Sequence, residues 1–265
     1  MEFIRKPILA VLAILIVLPL LPLIVWSVAR GWFYPQVLPQ QWSLTAWRFI
    51  FSDGSGVASS IATTGLIAVA VTVVAAIIGV PAGRALGLHE FRGKRAIELF
   101  MLAPIIVPGI AVVLGLHTVF IALGLTNTLT GVILAHLIPA LPYMVLIMAA
   151  AFANFDIRFE EQARSLGASP LQVLLHITLP GIWPALLAAS LLVFLVSWSQ
   201  YILTLVIGGG RVATLPLLLY NFASAGRDDL TGALAVVYVL PVLAIVVVTS
   251  RTITGHNLAR AIAKS

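Results

Sequence analysis

The 265-residue chain contains no cysteine, which excludes disulfides, thiolate metal sites and a thiol nucleophile. Charge is almost as scarce: Asp, Glu, Lys and Arg make up 9% of the residues, against roughly 25% in an ordinary soluble domain. So few charges cannot cover the surface of a globule. With 61% apolar residues and a mean hydropathy of +1.13, lipid must be the solvent for much of the chain.

Six stretches are apolar for long enough to cross a hydrocarbon core of about 30 Å, which takes about 20 helical residues. They lie near Ile8 to Val28, Ile61 to Val80, Leu99 to Leu123, Gly131 to Phe152, Ile182 to Val206 and Gly232 to Ser250. They are apolar on every face, unlike the short alternating segments of a membrane barrel. The expectation is an all-α membrane protein, six transmembrane helices forming one domain over residues 1–265. Arg5, Lys6, Arg84, Arg92, Lys94, Arg95, Arg158, Arg164, Arg251, Arg260 and Lys264 fall on the side of the N-terminus, and only Arg30, Arg48, Arg211 and Arg227 on the other. That bias puts both termini in the cytoplasm. The net charge of +6 is then a topology signal rather than a nucleic-acid footprint. The first apolar run is too long for a signal-peptide core and reads as a retained anchor. Trp26, Trp32, Trp42 and Trp47 cluster at its outer end, where indoles suit the interface, and residues 42–47 predict a short surface helix.

The span interiors contain no Asp, Glu, Lys or Arg. A carrier or channel coupled to an ion gradient, the alternative from another class, would need an intramembrane charge to link the two fluxes. His117 and His136 are the titratable groups at depth, one per span, and read as neutral hydrogen-bonding residues rather than metal ligands. Pro19, Pro22, Pro104, Pro108, Pro139 and Pro142 predict kinks, and Gly79 with Gly83 permits close helix packing. The nearest approach to a phosphate loop, Gly87 to Arg95 (GLHEFRGKR), has five residues between its glycines and an Arg after Lys94. It therefore lacks the spacing and the magnesium-binding hydroxyl of a P-loop. No hydrolytic constellation is present either, so the chain does not read as an enzyme.

The polar connection at residues 154–181 is the exception in an apolar chain. Asp156 is placed to cap a helix whose first turns carry Glu160 and Glu161, where the helix dipole favours negative charge. Arg164 is spaced to pair with either glutamate on an exposed face. Phe159, Ala163 and Leu166 form a narrow apolar stripe, and Gly167 is the expected left-handed stop. Ser169, Pro170 and Gln172 form a capping box in sequence, opening a second helix with Leu171, Leu174, Leu175 and Ile177 on its apolar face. That helix is expected to end at Pro180, with Pro184 further on re-entering the bilayer. Such a helical knob suits insertion into a partner's groove.

Here the residues resemble a known family. Glu161-Gln162-Ala163, Gly167, Ile177 and Leu179-Pro180 stand at the spacing of the Glu-Ala-Ala signature of permease subunits of binding-protein-dependent, type I ABC importers, with Gln162 replacing one Ala. The resemblance implies a coupling helix, roughly Phe159 to Gly167, docking on a cytoplasmic ATPase dimer. Phe159, Glu160, Glu161, Ala163, Arg164, Leu166, Gly167, Ala168, Ile177, Leu179 and Pro180 would carry the contact. It also implies that ATP and Mg belong to the ATPase and that this chain binds no cofactor. The other partners would be a second permease subunit, identical or homologous, and a periplasmic or lipid-anchored solute-binding protein, in a bacterial inner membrane. Trp47-Arg48, the Gly208-Gly209-Gly210-Arg211 turn and Leu215-Pro216-Leu217 look most like the polyamine, thiamine, phosphonate and iron group. The polar patch Ser197-Trp198-Ser199-Gln200-Tyr201 is the candidate pathway lining, with interhelical hydrogen bonding as the other reading. Polyamine permeases often carry acidic residues where Ser199 and Gln200 stand, so a dication would lose its counter-charge there.

Overall fold

A computed structural model describes residues 15, 18–32, 35, 36 and 38–244. Most of the expected first span before Leu18, and the part of the expected sixth beyond residue 244, lie outside the described residues. The elements are α1 (Leu21–Ser27), preceded by a 3-10 turn, β1 (Ala29–Arg30), β2 (Gln41–Trp42), α2 (Thr45–Ile50), α3 (Val57–Leu88), α4 (Lys94–Ile106) and α5 (Gly109–Ala122). After these come α6 (Leu129–Ala153), α7 (Arg158–Ser165), α8 (Pro170–Trp198), α9 (Ile202–Gly208) and α10 (Leu215–Ser224). A last helix, α11, occupies residues 228–244 as far as it is described.

The chain divides into two compact units, residues up to Thr63 with Ala213–Ala244, and Thr64–Val212. In the first, β1 and β2 pair antiparallel with Ala29 opposite Trp42, a small ribbon in an otherwise helical fold. Trp26 meets Trp32 edge-on at 6.1 Å, and Phe49 of α2 meets Phe222 of α10 at 5.9 Å. α11 comes so close to α1 that a Cβ on Gly232 would lie 2.5 Å from the Leu23 carbonyl oxygen.

In the second unit α6 is the central helix. Val132, Ala135, Ala140, Met144, Met148 and Phe152 are buried on it. α3 buries Ile67, Val71 and Ala75 and turns Leu66, Val69, Val73 and Ile77 outward, the face a bilayer would cover. Gly79, Gly83 and Gly87 recur one turn apart against α6. A Cβ there would meet Met144 Cγ, Met148 Cβ and the Ala149 carbonyl oxygen, each at 2.5 Å. The small-residue pair seen in the sequence is therefore a three-glycine seam within the chain.

Among the described residues three helices are long and apolar enough to cross a membrane, α3, α6 and α8. α4 and α5 add a fourth if taken as one span. Two expected spans are corrected. The third is not one helix: α4 and α5 are bent by 102° at Val107 and Pro108. Pro108 has no donor, and its ring pushes Val107 into the extended region, φ −71° and ψ 134°. The fifth breaks at Ser199–Tyr201 and resumes as α9. Nor does the helix after Ser169 end at Pro180. A π turn over Leu174–Thr178 carries it through; the widened turn relieves the clash between a proline ring and the carbonyl four residues earlier.

Candidate functional site

Residues 154–181 fold into the expected helix, turn and helix. The Asp156 carboxylate accepts from the Arg158 backbone N–H and from its guanidinium, at 3.0 and 2.9 Å, and this pairing holds the Asp156 pKa below its ordinary value. α7 closes in a Schellman turn: Gly167 has φ +88°, its N–H reaches the Arg164 carbonyl, and the Ala168 N–H reaches that of Ala163. At the start of α8 the Ser169 hydroxyl and the Gln172 side chain satisfy each other's backbone N–H groups, a complete capping box.

The side chains sort into an outward and an inward set. Phe159 and Leu166 stand 58% and 89% exposed, an apolar surface with nothing over it in the single chain. Glu161, Arg164, Gly167 and Pro180 are also exposed, whereas Ala163, Ala168, Ile177 and Leu179 are half-buried. Early in α8, Leu171, Leu174 and Leu175 face outward while Val173 is buried, so the expected apolar face is not the packed one.

Glu160 departs furthest from expectation. It is only 2% exposed, not on an open face, and its main partner is not Arg164. Arg84 at the end of α3 grips the carboxylate with both guanidinium ends, Nη1 to Oε1 at 2.7 Å and Nη2 to Oε2 at 2.6 Å. The Thr178 hydroxyl donates to Oε1 at 2.6 Å, and Arg164 stands off at 3.6 Å. Arg84 also lies over the Phe152 ring at 5.5 Å. The Arg84 fork holds the Glu160 pKa down; burial opposes it, and the Thr178 hydrogen bond helps. Sequence reasoning counted Arg84 only as a topology charge and passed over Thr178, because nothing local marks residues 76 and 18 positions from Glu160 as its partners.

The polar patch in the expected fifth span splits into two parts. Ser197 and Trp198 are buried; Trp198 stacks on Phe194 at 5.7 Å. His136, 1% exposed on α6, bridges the break. Its Nδ1 lies 3.0 Å from Ser197 Oγ at the end of α8, and its Nε2 2.9 Å from Thr204 Oγ1 in α9. One ring nitrogen donates and the other accepts, so the pair of bonds fixes the ring as well as the break. Ser199, Gln200 and Tyr201 line a cavity of about 310 Å³ bounded by Pro104 and Gly109 beside the α4–α5 bend and by Pro139 of α6. Irregular backbone at membrane depth is tolerated where it is buried in protein or borders a wet cavity, and this break meets that condition.

Comparisons with known proteins agree on one kind of protein. The family model for "Binding-protein-dependent transport system inner membrane component" matches residues 79–256. The spermidine/putrescine transport system permease protein PotC of Haemophilus influenzae is 31% identical over 183 residues, 69% of this chain and 71% of the relative. The trehalose transport system permease protein SugB of Mycobacterium tuberculosis is 30% identical over 69% of each chain. Among solved structures, a chain of a bacterial ABC transporter involved in import of the acidic polysaccharide alginate superposes with a TM-score of 0.71. It shares 21% identity over 94% of this chain and 95% of that one. The inward-facing MetNI methionine ABC transporter gives 0.58 at 18% identity, covering 77% and 99%.

Proposed function

The chain belongs to the family of binding-protein-dependent transport system inner membrane components, the permease subunits of ABC importers, and from that premise we propose that α7 is its coupling helix. Residues 1–265 act as one six-span permease domain with both termini in the cytoplasm. Phe159, Glu161, Arg164 and Leu166 seat in a groove of a cytoplasmic ATPase dimer, which holds the ATP and Mg. Two permease subunits enclose the pathway, and a solute-binding protein delivers a small polar solute from outside. The cavity beside Ser199, Gln200 and Tyr201 is part of that pathway. The relatives named for polyamines and for trehalose keep both kinds of solute open, and the selectivity of the binding protein decides between them.

The observation that carries this reading is a built, capped helical knob whose first helix projects two large apolar side chains, Phe159 and Leu166, with no cover of their own. Burying such side chains stabilises an interface by about 1.5–3 kcal/mol each. The test is gentle detergent purification of the native complex. An ATPase subunit should co-purify with the wild-type chain and be lost or weakened with Leu166→Asp. A native complex without a nucleotide-binding subunit would end the reading.

A further inference from the structure

We propose that Arg84, Glu160 and Thr178 form a joint that makes α7 move as one body with the end of α3 and the π turn of α8, so that Arg84 is a positioning residue for coupling. The inference rests on the reading of α7 as the coupling helix. Among the described residues Glu160 is the only buried carboxylate, and a buried charge persists only when its oxygens are well paired. Here each oxygen takes one end of the Arg84 guanidinium, and Oε1 takes the Thr178 hydroxyl as well. A two-pronged guanidinium fixes direction as well as distance, which a lysine ammonium would not.

The three groups come from three different helices. Arg84 lies in the last two turns of α3, between Gly83 and Gly87 of the seam that locks α3 onto α6. Thr178 is the last residue of the π turn, and from there its hydroxyl reaches Oε1. Phe152, near the end of α6, floors the guanidinium. α7 therefore presents Phe159 and Leu166 outward while Glu160, adjacent to Phe159, is held from within. A displacement of the outer face must carry the carboxylate with it, and the Arg84 fork passes that displacement to α3 while the Thr178 hydroxyl passes it to α8.

The test uses the whole importer in proteoliposomes, measuring solute taken up per ATP hydrolysed, together with retention of the ATPase on the permease. Glu160→Gln and Arg84→Gln should keep the ATPase bound and hydrolysing, yet lower uptake per ATP by about tenfold, the scale one charge-assisted hydrogen bond carries. The double variant should be no worse than either single one, because both remove the same link. Thr178→Val, nearly isosteric, should lower the ratio by about threefold and serves if the arginine variant does not insert. A wild-type ratio in Glu160→Gln or in Thr178→Val overturns the joint, as do single losses that multiply in the double variant. Leu166→Asp separates the two claims. If it leaves ATPase binding intact, the coupling-helix reading itself fails, whereas a failed joint with Leu166→Asp still releasing the ATPase leaves that reading standing.

Discussion

The glycine seam between α3 and α6 makes a prediction whose size and sign both follow from distances. Gly83→Ala adds one carbon that would sit 2.5 Å from Met148 Cβ and 2.9 Å from the Ala149 nitrogen and the Val145 carbonyl oxygen, where ordinary contacts are 3.4–4 Å. The deficit is about 1 Å, and two of the three obstructing atoms are backbone, so the helices must part. Overpacking of this kind costs about 1–3 kcal/mol, and at about 2–4 °C per kcal/mol the midpoint of thermal unfolding should fall by about 2–12 °C. Gly87→Ala meets the Ala149 carbonyl oxygen at 2.5 Å and should behave alike. Gly79→Ala meets Met144 Cγ at 2.5 Å and Cβ at 3.0 Å, but its nearest backbone atom, the Val145 nitrogen, is 3.4 Å away, so its loss should be smaller. Gly65→Ala on the same helix supplies the control: nothing lies within 4 Å of the added carbon, and replacing a helical glycine there should be neutral or gain about 0.5–1 kcal/mol. Thermal melts of the four variants in one detergent rank them. Equal melting of Gly65→Ala, Gly83→Ala and Gly87→Ala would refute the argument from close approach.

Three further perturbations follow from the same geometry. Gly167→Ala has open space around its added carbon, so its cost is that of the left-handed backbone alone, about 1–2 kcal/mol. Hydrogen exchange at the end of α7 should accelerate by about 5–30-fold, with Gly167→Asn milder. His136→Phe removes both bonds across the break at Ser199–Tyr201 and should cost about 1–3 kcal/mol in a thermal melt, with faster exchange confined to α9 and the end of α8. The Glu160 pKa is held below its ordinary value of 4.5, so the unfolded chain takes up its proton first as pH falls. The stabilisation is complete above that value and is lost as pH falls through the depressed folded one. Wild type should therefore melt above Glu160→Gln at neutral pH, with the gap narrowing as pH drops below 4.5; a gap independent of pH would show that Glu160 does not act through its charge.

The amino-acid sequence determined what depends on neighbours along the chain. Hydropathy summed over a helix length marks a membrane protein, and the capping of α7 and α8 is written in Gly167, Ser169 and Gln172, each acting within one turn. The Glu-Ala-Ala spacing, likewise local, named the family. Only the tertiary structure decided which way side chains face. A helix apolar on all sides carries no signal of its buried face, and Glu160 turns inward because Arg84, 76 residues away, is there to receive it. Nor did the prolines say where spans would break. Pro139 and Pro142 sit inside an unbroken α6 while Pro108 stands at a 102° bend. The break at Ser199–Tyr201 contains no proline at all, being held by a histidine from another helix. Such choices are settled by whether neighbouring helices satisfy the freed backbone and polar groups, which no stretch of sequence holds by itself.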